Sequence, residues 1–303
     1  MVLKDTLLSL SQNPRMRDFA VHNRVARSVA RRFVAGEQLE DAIEVTRQLN
    51  RNKMQVALNL LGENVTDAQE AARATQDYLS ALDLIKQSAV DANISVKLTE
   101  LGLDLSREVC EQNLYKILES AGNYGIFVCI DMEGSAYTER TIDITLRARE
   151  KFEHVGTVIQ TYLLRSKQDL ARLIASGVRV RLVKGAYKEP SSIAYQRKSD
   201  VDRNFVQLMA MLLTRGNFPA IATHDEAIIN AACKFIREHG IDKSAFEFQM
   251  LYGVRRDLQE KLVAQGYFMR IFVPYGAQWY PYLMRRMAER PANLMFVLSN
   301  VLR

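Results

Sequence analysis

Val178-Arg179-Val180-Arg181-Leu182-Val183-Lys184-Gly185-Ala186-Tyr187 reads as a β-strand that runs directly into a glycine and carries cations toward its C-terminal end. Aliphatic residues alternate with arginine, the two-residue period of a strand. Gly185 lets the backbone turn sharply or approach a ligand. Barrel and open-sheet enzymes hold anions and cofactors with cations at the C-terminal mouth of a strand. On an edge strand the same arginines would simply be solvated.

Similar β-rich runs recur on both sides of this one. Strands are expected near Gln55–Leu60, Ile94–Leu98, Ile126–Asp131, Thr157–Tyr162, Val178–Lys184, Pro219–Thr223, Phe246–Leu251 and Met269–Val273. The stretches between them read as helices: Thr66–Ser88, Arg107–Ser120, Thr138–Phe152, Lys167–Ala175, Ser191–Thr214, Glu226–His239 and Arg255–Gln265, with a last one containing Pro281–Ala288. Eight strands, each followed by a helix, point to an α/β fold of the (β/α)8 TIM-barrel type. A doubly wound sheet shares the alternation, but the chain has no early G-x-G-x-x-G. Asp18–Phe33 and Leu39–Leu49 read as helices ahead of the first strand. The expected organisation is therefore an N-terminal helical arm over 1–45 and a barrel domain over 46–303.

The 303 residues are 48% hydrophobic, enough to bury a large core. No apolar run is long enough to cross a bilayer, and the start Met1-Val2-Leu3-Lys4-Asp5 lacks the apolar stretch of a secretory signal. A cytoplasmic protein is expected. Cys110, Cys129 and Cys233 are widely separated and suit free thiols. The four histidines show no metal-ligand spacing, so no metal site is expected. A net charge of +6 suits a phosphate-bearing cofactor, an anionic substrate or an anionic membrane surface. No nucleic-acid recognition motif accompanies it.

In such barrels chemistry sits at the C-terminal ends of the strands. Those ends carry Lys97, then Asp131, Met132 and Glu133, then Gln160, Arg181 and Lys184, Thr223 and His224, Gln249, and Tyr275. A ring of polar residues above apolar strand bodies suggests a lined pocket. Arg181 and Lys184 suit a pyrophosphate, a carboxylate or a ring that gains charge in reaction. Asp131 is either catalytic or holds a neighbouring cation. Lys97 suits a carboxylate clamp, a Schiff base or a structural ion pair. On the last helix Tyr282, Arg285, Arg286 and Glu289 are offset by three, four and seven, so they share one face. Two arginines beside a tyrosine form a fork for a small carboxylate. The plainer alternative is a solvated, ion-paired face.

Taken together, Val96-Lys97-Leu98-Thr99, Ile130-Asp131-Met132-Glu133, Val158-Ile159-Gln160, Arg181-Leu182-Val183-Lys184-Gly185-Ala186-Tyr187, Ala222-Thr223-His224, Phe246-Glu247-Phe248-Gln249 and Tyr282-Leu283-Met284-Arg285-Arg286 resemble the proline dehydrogenase family, the flavin-dependent enzymes of proline catabolism. The resemblance runs from about Met54 to Arg290, and the length is similar to the monofunctional bacterial form. It implies a distorted barrel that binds FAD non-covalently, with the last helix across the barrel mouth. It implies that Arg181 lies near flavin N5 and that Lys184, Gly185 and Ala186 form a flavin-binding turn. Gln160, Met132, Thr223, His224 and Gln249 would be further FAD contacts. Lys97, Arg285 and Arg286 would clamp the substrate carboxylate, Tyr282 would pack on the substrate ring, and Asp131 would be the active-site aspartate. Phe272 departs from the tyrosine of many bifunctional members.

The implied reaction is oxidation of L-proline to Δ1-pyrroline-5-carboxylate, with a hydride passing from C5 to flavin N5 and electrons then passing to a quinone. Arg181 would stabilise developing negative charge. Asp131 would orient Lys97 or Arg181, since a buried carboxylate among cations is expected to stay ionised. The quinone implies peripheral contact with the inner membrane surface, for which Arg24, Arg27, Arg31 and Arg32 of the arm are candidates. No obligate protein partner is evident. The rival readings are a Schiff-base aldolase using Lys97 or Lys184 and a basic, non-catalytic scaffold.

Overall fold

A computed structural model of the chain describes residues 23–62 and 65–289, together with Met16 and Ala20. The remainder of the expected arm lies outside the described residues, as does the side chain of Arg285. Eight parallel strands close in sequence order, with β8 returning to pair with β1. They are β1 (Gln55–Leu60), β2 (Ala92–Val96), β3 (Val128–Ile130), β4 (Val155–Gln160), β5 (Arg179–Val183), β6 (Ala220–Ala222), β7 (Glu247–Leu251) and β8 (Met269–Tyr275). The barrel expectation holds, though several strands are shorter than expected or displaced. Strand β2 ends at Val96 because the chain then enters a turn, with the Leu101 N–H donating to the Leu98 carbonyl at 3.1 Å.

Preceding β1 are α1 (Arg24–Ala30) and α2 (Leu39–Arg51). The barrel helices are α3 (Ala68–Ser88), α4 (Arg107–Tyr124), α5 (Ser135–Lys151), α6 (Ser166–Ala175), α7 (Lys198–Arg215), α8 (Glu226–Glu238), α9 (Arg256–Ala264) and α10 (Trp279–Glu289). Two of them start with ordinary side-chain caps: Asp67 accepts from the Glu70 N–H at the head of α3, and Ser106 from Glu108 and Val109 at the head of α4. Helix α7 begins seven residues later than expected. Residues ahead of it are drawn to β4's exit instead, the Tyr195 N–H donating to the Tyr162 carbonyl at 2.8 Å.

The strands' outward faces and the helices form one core, but the barrel interior is unusually polar. A barrel interior is ordinarily filled by branched aliphatic layers. Here Asn93, Ser95, Arg179, Arg181, Glu247, Gln249 and Arg270 come from the strands facing inward. The charges are tied to one another. Arg270 Nε lies 3.0 Å from both Glu247 oxygens, its NH1 donates to the Val56 carbonyl at 2.9 Å, and Gln249 Nε2 donates to Glu247 Oε1 at 2.6 Å. Arg179 lies between the rings of Phe127 and Phe218, at 4.1 and 4.4 Å from their centroids.

Helix α2 packs against both β1 and β8 and puts Ala42, Ile43 and Thr46 into the core. It thus covers the seam where the barrel closes, and it straddles the boundary expected after residue 45. Helix α10 joins a second apolar cluster with Ala30, Phe33 and Val34 of the arm and Leu61 at the exit of β1. The arm is tied there by main-chain bonds from Ala35 to Pro274 and from Gly276 to Gly36, both 2.9 Å, and by Trp279 Nε1 donating to Glu37 at 3.2 Å. It is an integral wall of the rim beneath α10.

The Glu247–Arg270 pair is almost wholly removed from water, with side-chain exposures of 2% and 9%. Removing one partner of such a pair strands the other charge, at a cost of roughly 3–5 kcal/mol. Arg270→Met is expected to destabilise by that order in urea unfolding. The joint replacement Glu247→Leu with Arg270→Met should restore most of the loss; a double variant as unstable as the single one would contradict this account.

Candidate active site

Arg181 sits in the middle of β5, and strand alternation turns its side chain inward. Its NH1 donates to Asp131 Oδ1 at 2.8 Å and its NH2 to Ser95 Oγ at 3.0 Å. The guanidinium also lies over the Phe272 ring, 5.1 Å from the centroid. Phenylalanine at 272 therefore supplies the aromatic face that a tyrosine would, without the hydroxyl. Burial works against the Arg181 charge, but Cys129, Asp131 and Glu247 outweigh it and hold its pKa above the usual guanidinium value.

Asp131 directly follows β3, and its N–H donates to the Val96 carbonyl at 2.8 Å. Burial is the largest influence on its carboxyl and raises it above the usual carboxylate value; Arg181 and Lys97 pull in the other direction. Glu133 is likewise raised by burial, although it accepts from Thr99 Oγ1 at 2.8 Å.

Lys97, one residue beyond β2, donates to the Leu60 carbonyl at 3.2 Å and to Glu100 Oε1 at 2.7 Å. Lys184, one residue beyond β5, donates to Asp202 Oδ1 at 2.5 Å and Asp225 Oδ2 at 2.7 Å. Both ammonium groups are thus ion-paired, whereas a Schiff base requires a free amine. The arrangement argues against the aldolase reading. The turn after Lys184 needs its glycine. Gly185 has φ +104°, and a Cβ there would lie 2.2 Å from the Tyr162 ring.

The neighbouring strand exits bring up the other expected contacts. Gln160 ends β4 and donates to the Glu133 carbonyl at 2.9 Å. Met132 is buried and Ala186 exposed. Thr223 Oγ1 accepts from the Asp225 N–H at 3.1 Å, and His224 Nε2 accepts from the Leu251 N–H at 2.8 Å. Gln249 faces the interior, where its amide bonds Glu247. On α10, Tyr282 is buried and the Arg286 guanidinium lies 5.5 Å from its ring centroid. Of Arg285 only the position on α10 is described.

Ser95, Glu100, Tyr78, Asp202 and Asp225 were not expected at the site. Ser95 was readable, because it shares the inward period with Asn93 and Lys97. Tyr78 carries no such signal. Among the described residues, no group of His, Cys, Asp or Glu is arranged to hold a metal ion.

Asp225 also caps α8. Burial acts to raise its carboxyl, but hydrogen bonds from Lys184 and Lys198 outweigh it and bring it down to about 2. Its contribution to stability is therefore full above the ordinary value of 3.8 and is lost as pH falls through about 2. The shift corresponds to about 2 kcal/mol. Lys184→Met should remove much of it, so the stability gap between variant and wild type, measured by denaturant unfolding, should narrow as pH falls through that window. A gap independent of pH there would refute the assignment.

Comparison with known proteins accords with this geometry. The family model for proline dehydrogenase matches residues 42–299. The chain is 41% identical to proline dehydrogenase 1 of Bacillus subtilis over the full length of both, and 38% identical to a proline dehydrogenase of Deinococcus radiodurans over 99% of this chain and 98% of that one. Its fold is similar to the crystal structure of proline utilization A from Bdellovibrio bacteriovorus inactivated by N-propargylglycine, with a TM-score of 0.82 and 27% identity. That match covers 87% of this chain and 33% of the longer one. The chain belongs to the proline dehydrogenase family.

Proposed function

We propose that the protein oxidises L-proline to Δ1-pyrroline-5-carboxylate using non-covalently bound FAD, and that a quinone takes up the electrons. The observation that carries this reading is the reach of Arg181 from β5 past β4 to Asp131 after β3 and Ser95 on β2. In this reading two sets of residues act around it. On one arc, the adjacent exits of β4, β5 and β6 carry Gln160, Lys184, Gly185, Thr223 and His224. The other comprises Lys97 after β2 and the positions Tyr282, Arg285 and Arg286 on α10, a helix that packs against Leu61.

The first arc suits FAD. Gly185, at φ +104° against the Tyr162 ring, shapes the turn after β5, and Gln160, Thr223 and His224 stand at the exits of the adjacent strands. Gln160, Met132, Arg181, the turn 184–186, Thr223 and His224 would hold the cofactor, with Gln249 deeper in the barrel. Because the Lys184 ammonium is already paired with two carboxylates, its turn would contribute chiefly through backbone N–H groups. When bound, the flavin supplies a hydride acceptor for proline C5.

The protein's own part is position and charge. Lys97, Arg285 and Arg286 hold the substrate carboxylate, and Tyr282 packs on its ring. Arg181, pinned by Asp131 and Ser95, presents a fixed positive charge where negative charge develops during oxidation. Asp131 acts as the positioning partner of Arg181. The +6 net charge supports an encounter of a cytoplasmic protein with the anionic inner membrane surface, to which Arg27 and Arg31 of the arm would contribute. No helix among the described residues is long and apolar enough to cross a membrane.

The purified protein should be yellow and should bleach anaerobically when L-proline is added. A protein that holds FAD yet stays oxidised at saturating proline would refute the substrate. Arg181→Met should slow flavin reduction about 100-fold or more while weakening proline binding less. Arg286→Met should raise KM for proline and retain FAD; loss of flavin in that variant would count against its role as a carboxylate clamp.

A further inference from the structure

The assignment of Lys97 to the substrate carboxylate leaves open what aims it. A lysine ammonium has three N–H donors on a flexible four-carbon stem. Two are engaged by protein acceptors: the Leu60 carbonyl at 3.2 Å and Glu100 Oε1 at 2.7 Å. With two directions of a tetrahedral nitrogen fixed, the third is fixed as well.

Glu100 is itself held. It is 2% exposed, and its second oxygen accepts from the Tyr78 hydroxyl at 2.5 Å. Tyr78 is 1% exposed and belongs to α3, so the carboxylate is locked between a barrel helix and the lysine. Burial, reinforced by Glu100, pushes the Tyr78 phenol well above its ordinary value, so it remains a donor throughout the working range of an enzyme. The turn carrying Lys97 and Glu100 is braced from β3's exit as well, through Thr99 Oγ1 donating to Glu133. A buried carboxylate beside a substrate-facing cation has an electrostatic cost, because it cancels much of the charge that would attract an anion. What it offers in return is direction.

We propose that Glu100 and Tyr78 are positioning residues that hold the Lys97 ammonium with its remaining N–H directed at the carboxylate of the bound substrate. The relay Tyr78–Glu100–Lys97 supplies orientation. This rests on Lys97 being a carboxylate clamp, and the test separates the two claims.

The test uses the holoenzyme and four variants: Lys97→Met, Glu100→Gln, Tyr78→Phe and the double variant Lys97→Met with Tyr78→Phe. Two quantities are measured: KM and kcat for proline, and the calorimetric Kd of tetrahydrofuran-2-carboxylate, a ring carboxylate that has no amine to oxidise. Losing a charge-assisted hydrogen bond should raise KM and Kd about tenfold or more in Lys97→Met and Glu100→Gln, with kcat changed less. Tyr78→Phe keeps the ring in the core and should raise both by a smaller factor of roughly three to ten. In the Lys97→Met background, Tyr78→Phe should add no further rise, because the lysine through which it acts is gone. An equal factor with and without Lys97 would overturn the relay and leave Tyr78 a structural residue. Normal KM and Kd in Glu100→Gln would overturn it too. If Glu100→Gln fails to fold, the Tyr78→Phe comparison decides alone. Unchanged KM and Kd in Lys97→Met would instead refute the clamp assignment, and the relay with it.

Discussion

A guanidinium inside a barrel must be answered by other polar groups, and the answer to Arg181 organises the mouth. Strand alternation places the residue inside, where water cannot solvate it. Asp131 and Ser95, from two other strands, take two of its N–H groups. A side chain held at both ends cannot swing, so its charge occupies one place. The Phe272 ring closes the remaining side. In the function proposed above, that fixed point would stand between the residues that hold a flavin and those that hold a small amino acid. A hydride acceptor and its donor must meet face to face, and a cross-barrel tether is a direct way of setting their separation.

The same constraint accounts for the polar interior below. An isolated ion in a barrel is costly, whereas a connected set is tolerable. Glu247 and Arg270 neutralise each other, Gln249 bonds Glu247, and Arg179 is sheathed by two aromatic rings. The interior is thus built as coupled layers, one near the mouth and one near the base, and Arg181 and Gln249 line the space between them.

The barrel was legible because parallel strands covered on both faces leave repeated aliphatic runs, and the spacing between runs left room for helices. The ring of mouth residues followed from that register alone. What stayed hidden was pairing across long separations. Lys184 reads as a free cation in its own strand, yet its partners lie 18 and 41 residues further on. Lys97 likewise reads as solitary, although Glu100 is only three residues away, because nothing local tells whether that carboxylate turns inward or to solvent. For Asp131 the cationic neighbours were visible in the motifs, but the degree of burial was not. The role of α2 was equally unreadable, since an amphipathic helix does not say which groove it fills.

That role has a bearing on how the chain folds. Helix α2 emerges from the ribosome ahead of every barrel strand, yet one of the strands it covers is the last to be made. Its contact with β1 can form at once, but the part of its apolar face that meets β8 has no partner until that strand arrives more than two hundred residues later, and only then can the ring shut. Closure is therefore a late, long-range event that couples the two ends of the molecule. Helix α10 follows β8 in the chain and packs on Ala30, Phe33 and Val34 of the arm and on Leu61, so it too can dock only after that late step.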